Sequence, residues 1–199
     1  MKRLFLVVLI FILPSLVGGF LVLRLNLEQL TVLADRVFVG RCLSVEKGKD
    51  KNGHPVQYVS FKVSENLKGE NGETVTFKQV RMETLPLNAY ESATTAFSGL
   101  PQYQVGEEAV IFLSGESELG LTAPVGLAQG KFDIKEDQQG KRVVVNGLQN
   151  QGLLLGLRKS PRFKVMSLST GEKALLDGNP NKAEISYDDF LSLVKKLSQ

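Results

Sequence analysis

The chain has 199 residues, with 24 Lys plus Arg against 21 Asp plus Glu, a net charge of +3, one His, one Cys and no Trp. A chain of this size buries about 70% of its unfolded surface, so one domain needs neither a metal nor a disulfide to hold it together. The dispersed positive charge argues against a nucleic-acid reader, His54 and Cys42 alone cannot supply a zinc cluster, and His54 is the sole histidine a hydrolytic triad could use as its base.

Lys2 and Arg3 precede the apolar run Leu4–Leu13, which meets Pro14 and Ser15. A charged tip, a greasy core and a helix breaker make the pattern of a secretory signal peptide. Val17 and Gly19 are small enough to flank a cleavage before Phe20. The competing reading is an uncleaved anchor, because Leu4 to Leu23 is an apolar stretch of 20 residues, long enough to span a bilayer. Residues 1–23 are therefore signal peptide or membrane anchor. In both cases the positive tip stays inside and the remainder is extracytoplasmic, either secreted or periplasmic, or anchored by residues 4–23.

Asn26, with Gln29 three positions on, forms a weak capping box ahead of Leu27, Leu30, Leu33 and Ala34, which predicts a short helix. From Ala34 to Gly69 two runs of alternating polarity predict a long antiparallel hairpin turning through Lys49–Gly53. Val37, Val39, Leu43 and Val45 share one face of its first strand, and Val59, Phe61 and Val63 share a face of its second. Thr74 to Val80 reads as a third strand with Val75 and Phe77 on one side. The stretch Arg81–Gln104 has no sustained period, and a connection this long is often functional; a crossover coiling partly into a helix over Ala89–Ala96 is the alternative.

Ala109 to Leu113 is an unbroken apolar run, the mark of a central strand buried on both faces. Glu107 and Glu108 in front of it point to opposite faces and cannot converge on one substrate. Leu127–Ile134 and Lys141–Val145 predict a further hairpin through Glu136–Gly140, with Gly130 at a bend. Leu153–Leu157 and Phe163–Leu168 are apolar enough for short strands, around a basic cluster of Arg158, Lys159, Arg162 and Lys164. Ser186 is placed as the cap of a terminal helix with Asp188 and Asp189 in its first turn and Lys195 and Lys196 in its last, the charge order a helix dipole favours.

No catalytic residue, metal site or cofactor is expected. His54 lies in the turn Asn52-Gly-His-Pro55, Asp50–Gly53 lacks the spaced acids of a calcium loop, and no glycine-rich loop opens a helix to cradle phosphate. A hydrolase is the least supported alternative, for want of a general base.

Five phrases in order, AD-x-V-x-x-G from Ala34, F-x-V-x-E-x-LKG from Phe61, GEE-x-x-x-FL from Gly106, GL-x-QGKF from Gly126, and the leading Leu27-Glu-Gln-Leu30, resemble a group of exported, largely uncharacterised bacterial proteins. The resemblance covers roughly Leu25 to Val145. It implies a small closed barrel related to the OB-fold and similar to the barrel of tissue inhibitors of metalloproteinases, and a protein-binding role beside secreted metalloproteases. The chain departs from the pattern at Arg81–Gly99, which is poor in glycine, and no cysteine lies near a mature N-terminus to reach zinc.

The expected architecture is mainly β: a small five- or six-stranded Greek-key (OB-like) barrel over residues 24–146, with a short N-terminal helix, and a C-terminal extension, 147–199, whose terminal helix packs on the barrel. The expected function is an exported non-enzymatic protein-binding module, with a membrane-tethered structural component of the envelope as the alternative. Its protein partner would meet Tyr90, Phe97 and Tyr103, since aromatic groups carry interface energy efficiently. Arg158, Lys159 and Arg162 are the second candidate surface, and the membrane is met only through the N-terminal segment.

Overall fold

The strands are β1 (Arg36–Lys49), β2 (Pro55–Lys68), β3 (Thr74–Val80), β4 (Glu108–Leu113), β5 (Lys131–Glu136), β6 (Arg142–Asn146) and β7 (Ile185–Ser186), and the helices are α1 (Leu27–Leu33), α2 (Pro161–Val165), α3 (Thr170–Asp177) and α4 (Tyr187–Leu197). They belong to a computed structural model that describes residues 23–81, 99–179 and 181–199. The strands form one antiparallel sheet in the order β3-β2-β1-β4-β5-β6-β7. The mainly β class agrees with the sequence reading. The closed barrel of five or six strands does not: the sheet has seven strands and stays open.

Three register shifts between β1 and β2 shape it. Leu67 and Ser64 on β2, and Leu43 on β1, each stand without a directly opposed partner. An extra residue of this kind sharpens the local right-handed twist and reverses the side-chain alternation beyond it. Leu43 therefore points out to solvent, 45% exposed, and Val45 falls on the face of Phe38 and Cys42 rather than that of Val37 and Val39. The single-faced alternation expected from the sequence is corrected by one bulge. Gly40 sits between two of the shifts, where an added Cβ would stand 2.8 Å from the Lys62 carbonyl oxygen.

Both faces are covered. Val37, Val39, Val110, Phe112, Phe132 and Val144 pack against the helices and the 153–163 turn, and Phe112, Phe132 and Phe190 form an aromatic knot there. On the other face Phe38, Val59, Phe61, Val75, Phe77, Ala109 and Ile111 make a second core inside the curl of β1–β4. β4 is buried on both sides, as its unbroken apolar run predicts. The segment after β4 leans back onto β3: the Thr122 N–H donates to the Lys78 carbonyl at 2.9 Å, and Lys78 and Leu121 form a parallel bridge.

Local chemistry accounts for most of the elements. Asn26 and Gln29 cap α1 reciprocally, both bonds at 2.9 Å. The turns of the β1–β2 and β5–β6 hairpins are built alike. Asp50 accepts from the N–H groups of Asn52 and His54, Asp137 from those of Gln139 and Lys141, and Gly53 and Gly140 take the left-handed φ of 83° and 74°. Before β5, residues Leu127–Gln129 form a single helical turn rather than the start of the strand, closing on Gly130.

The 147–180 region holds no strands at Leu153–Leu157 or Phe163–Leu168. Ser160 caps α2 with Pro161 in its first turn, and Ser169 and Glu172 form a capping box on α3, so the local start signals decide for helix. Leu153, Leu157 and Phe163 join the same core as Leu27 and Phe112. The terminal helix begins at Ser186 as expected, burying Phe190, Leu191, Leu193, Val194 and Leu197.

Candidate functional site

Tyr90 and Phe97 lie outside the described residues. Tyr103, the third expected anchor, is buried: its ring meets Phe61 and Phe77 edge-on, with centroids 5.9 and 5.6 Å away. That ring belongs to the core inside the curl. In the basic cluster, Arg158 pairs with Asp177, and Arg162 donates to the Leu197 carbonyl at 3.1 Å, while Lys159 is exposed. His54 stands at the hairpin tip 3.2 Å from Asp50, part of the turn.

Chemistry that the sequence reading passed over gathers beneath Tyr103. Lys131 is 7% exposed, with its ammonium 2.5 Å from Asp133, 3.1 Å from Glu107 and over the Tyr103 ring at 5.6 Å. Lys131 is thus held between two carboxylates within the packing. Glu108, one residue on, turns to Arg41 at 2.6 Å and Arg142 at 3.4 Å, and the two glutamates diverge as their strand spacing requires. Burial, reinforced by Glu107, pushes the Cys42 thiol pKa up, against the opposing influence of Lys131. Burial, with Glu107 and Cys42, raises that of Tyr103 further. These groups are protonated at neutral pH and tied into packing. A small pocket of about 260 Å³ beside them is lined by Gln102, Gln104 and Glu107 among others.

A different opening lies at the mouth of the curl. A groove of about 420 Å³ runs between the end of β3 and the 114–123 segment, lined by Val80, Leu100, Leu121, Ala123 and Leu127, with the hydroxyls of Ser114 and Thr122 at its side. Gln79 lines it as well. It continues the face of Val75 and Phe77, is 1% exposed, and accepts at Oε1 from Gln57 Nε2 at 3.2 Å. Its own Nε2 is buried with no partner among the described residues. Arg81, next on that face, likewise leaves Nε buried and unpaired among them.

The main chain adds to this. Lys78 turns its carbonyl outward to Thr122, and Arg81 turns its N–H inward to the Pro55 carbonyl at 3.1 Å. Strand alternation then directs the N–H and C=O of Val80 outward, on the side of the groove. Neither has a main-chain partner among the described residues. The arrangement offers two kinds of hydrogen bond and an apolar wall.

No family model matches the chain, and neither curated proteins nor solved structures return a match to it. Among the described residues no group of three metal-ligating side chains comes together, and no helix is long and apolar enough to cross a membrane.

Proposed function

We propose that this chain is an exported, non-enzymatic binding module that takes an extended, uncharged stretch of a protein partner into the groove beside Val80. The observation that carries the reading is the Gln79 carboxamide. A buried donor left without an acceptor costs about 1–3 kcal/mol; Nε2 has none among the described residues, and since the Gln79 side chain lines the groove, a carbonyl brought in from outside would complete it. An added strand would meet the outward N–H and C=O of Val80, beyond the Lys78–Leu121 bridge, with its own main chain and place alternate side chains against Leu100, Leu121 and Leu127. A secreted metalloprotease is the partner class that the sequence resemblance implies. Kinship with OB-like barrels is part of the same proposal, supported by the bulged β1–β2 hairpin and by the return of residues 121–122 onto β3.

The test is panning of the purified chain against a displayed library of random peptides. Enrichment of short uncharged aliphatic sequences, lost with Leu121→Asp and weakened about tenfold by Gln79→Leu, supports the reading. No enrichment, or enrichment indifferent to both changes, removes it.

A second reading, a membrane-tethered envelope component, is favoured by one feature. Gln129 is 2% exposed and holds the chain where the apolar stretch ends, accepting from the Leu25 N–H at 2.8 Å and donating to the Leu23 carbonyl at 3.1 Å. A retained anchor would leave the domain no slack. The intact mass of the exported chain decides whether residues 4–23 remain.

A further inference from the structure

The end of the domain where the chain enters carries an unusual combination of side chains. Leu23, Leu155 and Val165 are 75%, 64% and 88% exposed. Three contacts bring together the segments that carry Leu23, Leu155 and the start of α2, which ends at Val165. Asn26 Nδ2 donates to the Leu155 carbonyl at 3.1 Å, Ser160 at the cap of α2 donates to Glu28 at 2.8 Å, and Gly152 lies against Arg24, whose side chain an added Cβ would meet at 3.5 Å. Arg24, Arg158, Lys159, Arg162 and Lys164 stand among these residues, against Glu28 and Asp177. Lys159 and Lys164 are exposed, and so is Val165 next to Lys164.

We infer that this end of the domain, Leu23, Leu155 and Val165 with Lys159 and Lys164, is a face that rests on an anionic lipid surface. Aliphatic side chains stranded in water gain by entering the headgroup boundary, and each lysine near an anionic leaflet adds about 1 kcal/mol. The excess of positive charge complements that leaflet. The location supports a membrane over an acidic protein, because the face adjoins the point where the apolar run Leu4–Leu23 gives way to Arg24. The Gln129 clasp at residues 23–25 keeps the two within one or two residues of each other. The inference is separate from the groove at β3, and it holds with the N-terminal segment retained or removed.

The experiment labels Val165→Cys with a polarity-sensitive fluorophore in the full exported chain as purified, under native conditions that leave the buried Cys42 out of reach. The label is read on vesicles of phosphatidylcholine alone and of phosphatidylcholine with about a third phosphatidylglycerol, each containing brominated acyl chains. The expected result is a blue shift and quenching on the mixed vesicles, falling to the phosphatidylcholine level when Lys159→Gln and Lys164→Gln are combined. A label that stays water-like on both vesicles, or that is quenched equally with and without the two lysines, overturns the inference. Intact mass on the same sample keeps it apart from the tethered reading: a retained anchor with a water-like label sinks the lipid-facing surface and leaves the tether standing.

Discussion

Lys196 Nζ stands 2.5 Å from one carboxylate oxygen of Glu172 and 2.7 Å from the other, and the glutamate side chain is fully buried. The pair joins the start of α3 to the end of α4, and Glu172 also completes the capping box by accepting from the Ser169 N–H at 2.6 Å. Burial raises its pKa, but hydrogen bonds from Lys196, Ser192 and Ser169 outweigh that and bring it below the usual carboxyl range. A folded value below the unfolded one gives stability that is complete above the ordinary Glu range and lost as pH falls through the depressed value. Lys196→Met should lower stability at neutral pH by about 3 kcal/mol, because it leaves a buried charge unpaired. Thermal melts should show the gap to the parent narrowing as acid protonates Glu172. A gap that widens on acidification contradicts the assignment.

Gly130 is squeezed between Val125 and Phe112, where a Cβ would lie 2.5 Å from the Val125 carbonyl oxygen and 2.7 Å from its nitrogen. Those atoms are main chain, and the Val125 N–H donates to the Phe112 carbonyl at 2.8 Å, so nothing yields cheaply. Gly130→Ala should destabilise by about 3 kcal/mol or more, whereas Gly72→Ala, with its nearest neighbour at 3.8 Å, should be nearly neutral. Urea denaturation of both variants measures the contrast.

The Tyr103 hydroxyl is buried without a partner among the described residues, while its ring fills the core with Phe61 and Phe77. Tyr103→Phe removes only the unmet group and should leave stability unchanged or raise it by up to about 1 kcal/mol. Tyr103→Ala opens a cavity and should cost about 3–5 kcal/mol. Equal losses in the two variants would mean that the hydroxyl is satisfied in solution.

Cys42 is 1% exposed, and burial with Glu107 disfavours its thiolate. The thiol should resist a thiol-reactive dye at pH 8 in the native chain and react fully in denaturant. Rapid labelling of the folded protein would mean that the curl opens at its β1 side.

Strands with steady alternation or continuous apolar runs were legible from their residues, and β3 and β4 lie where Thr74–Val80 and Ala109–Leu113 place them. So were the caps at Asn26 and Ser186. The bulge at Leu43 was hidden because Leu43 and Val45 are both apolar and continue the pattern of Val37 and Val39 in either register. Ser160-Pro161 and Ser169…Glu172 were readable as helix starts, but the apolar residues between them suggested strands. Openness of the sheet depends on strand pairing across long sequence distances, which composition does not encode. The reading of the groove rests on Gln79, a polar residue in the period of Val75 and Phe77, set apart by the lack of an acceptor for Nε2 among the described residues.

Binding through that groove is tested most directly by capturing partners from the producing cell's envelope and medium. The bait is the full chain tagged after Gln199, compared with its Leu121→Asp and Gln79→Leu variants at matched thermal stability. The account predicts a protein held by the parent, crosslinked to residues beside Val80, released by Leu121→Asp and held more weakly by Gln79→Leu. Capture that is identical for all three baits, or a purified chain that converts a substrate over many cycles, contradicts it.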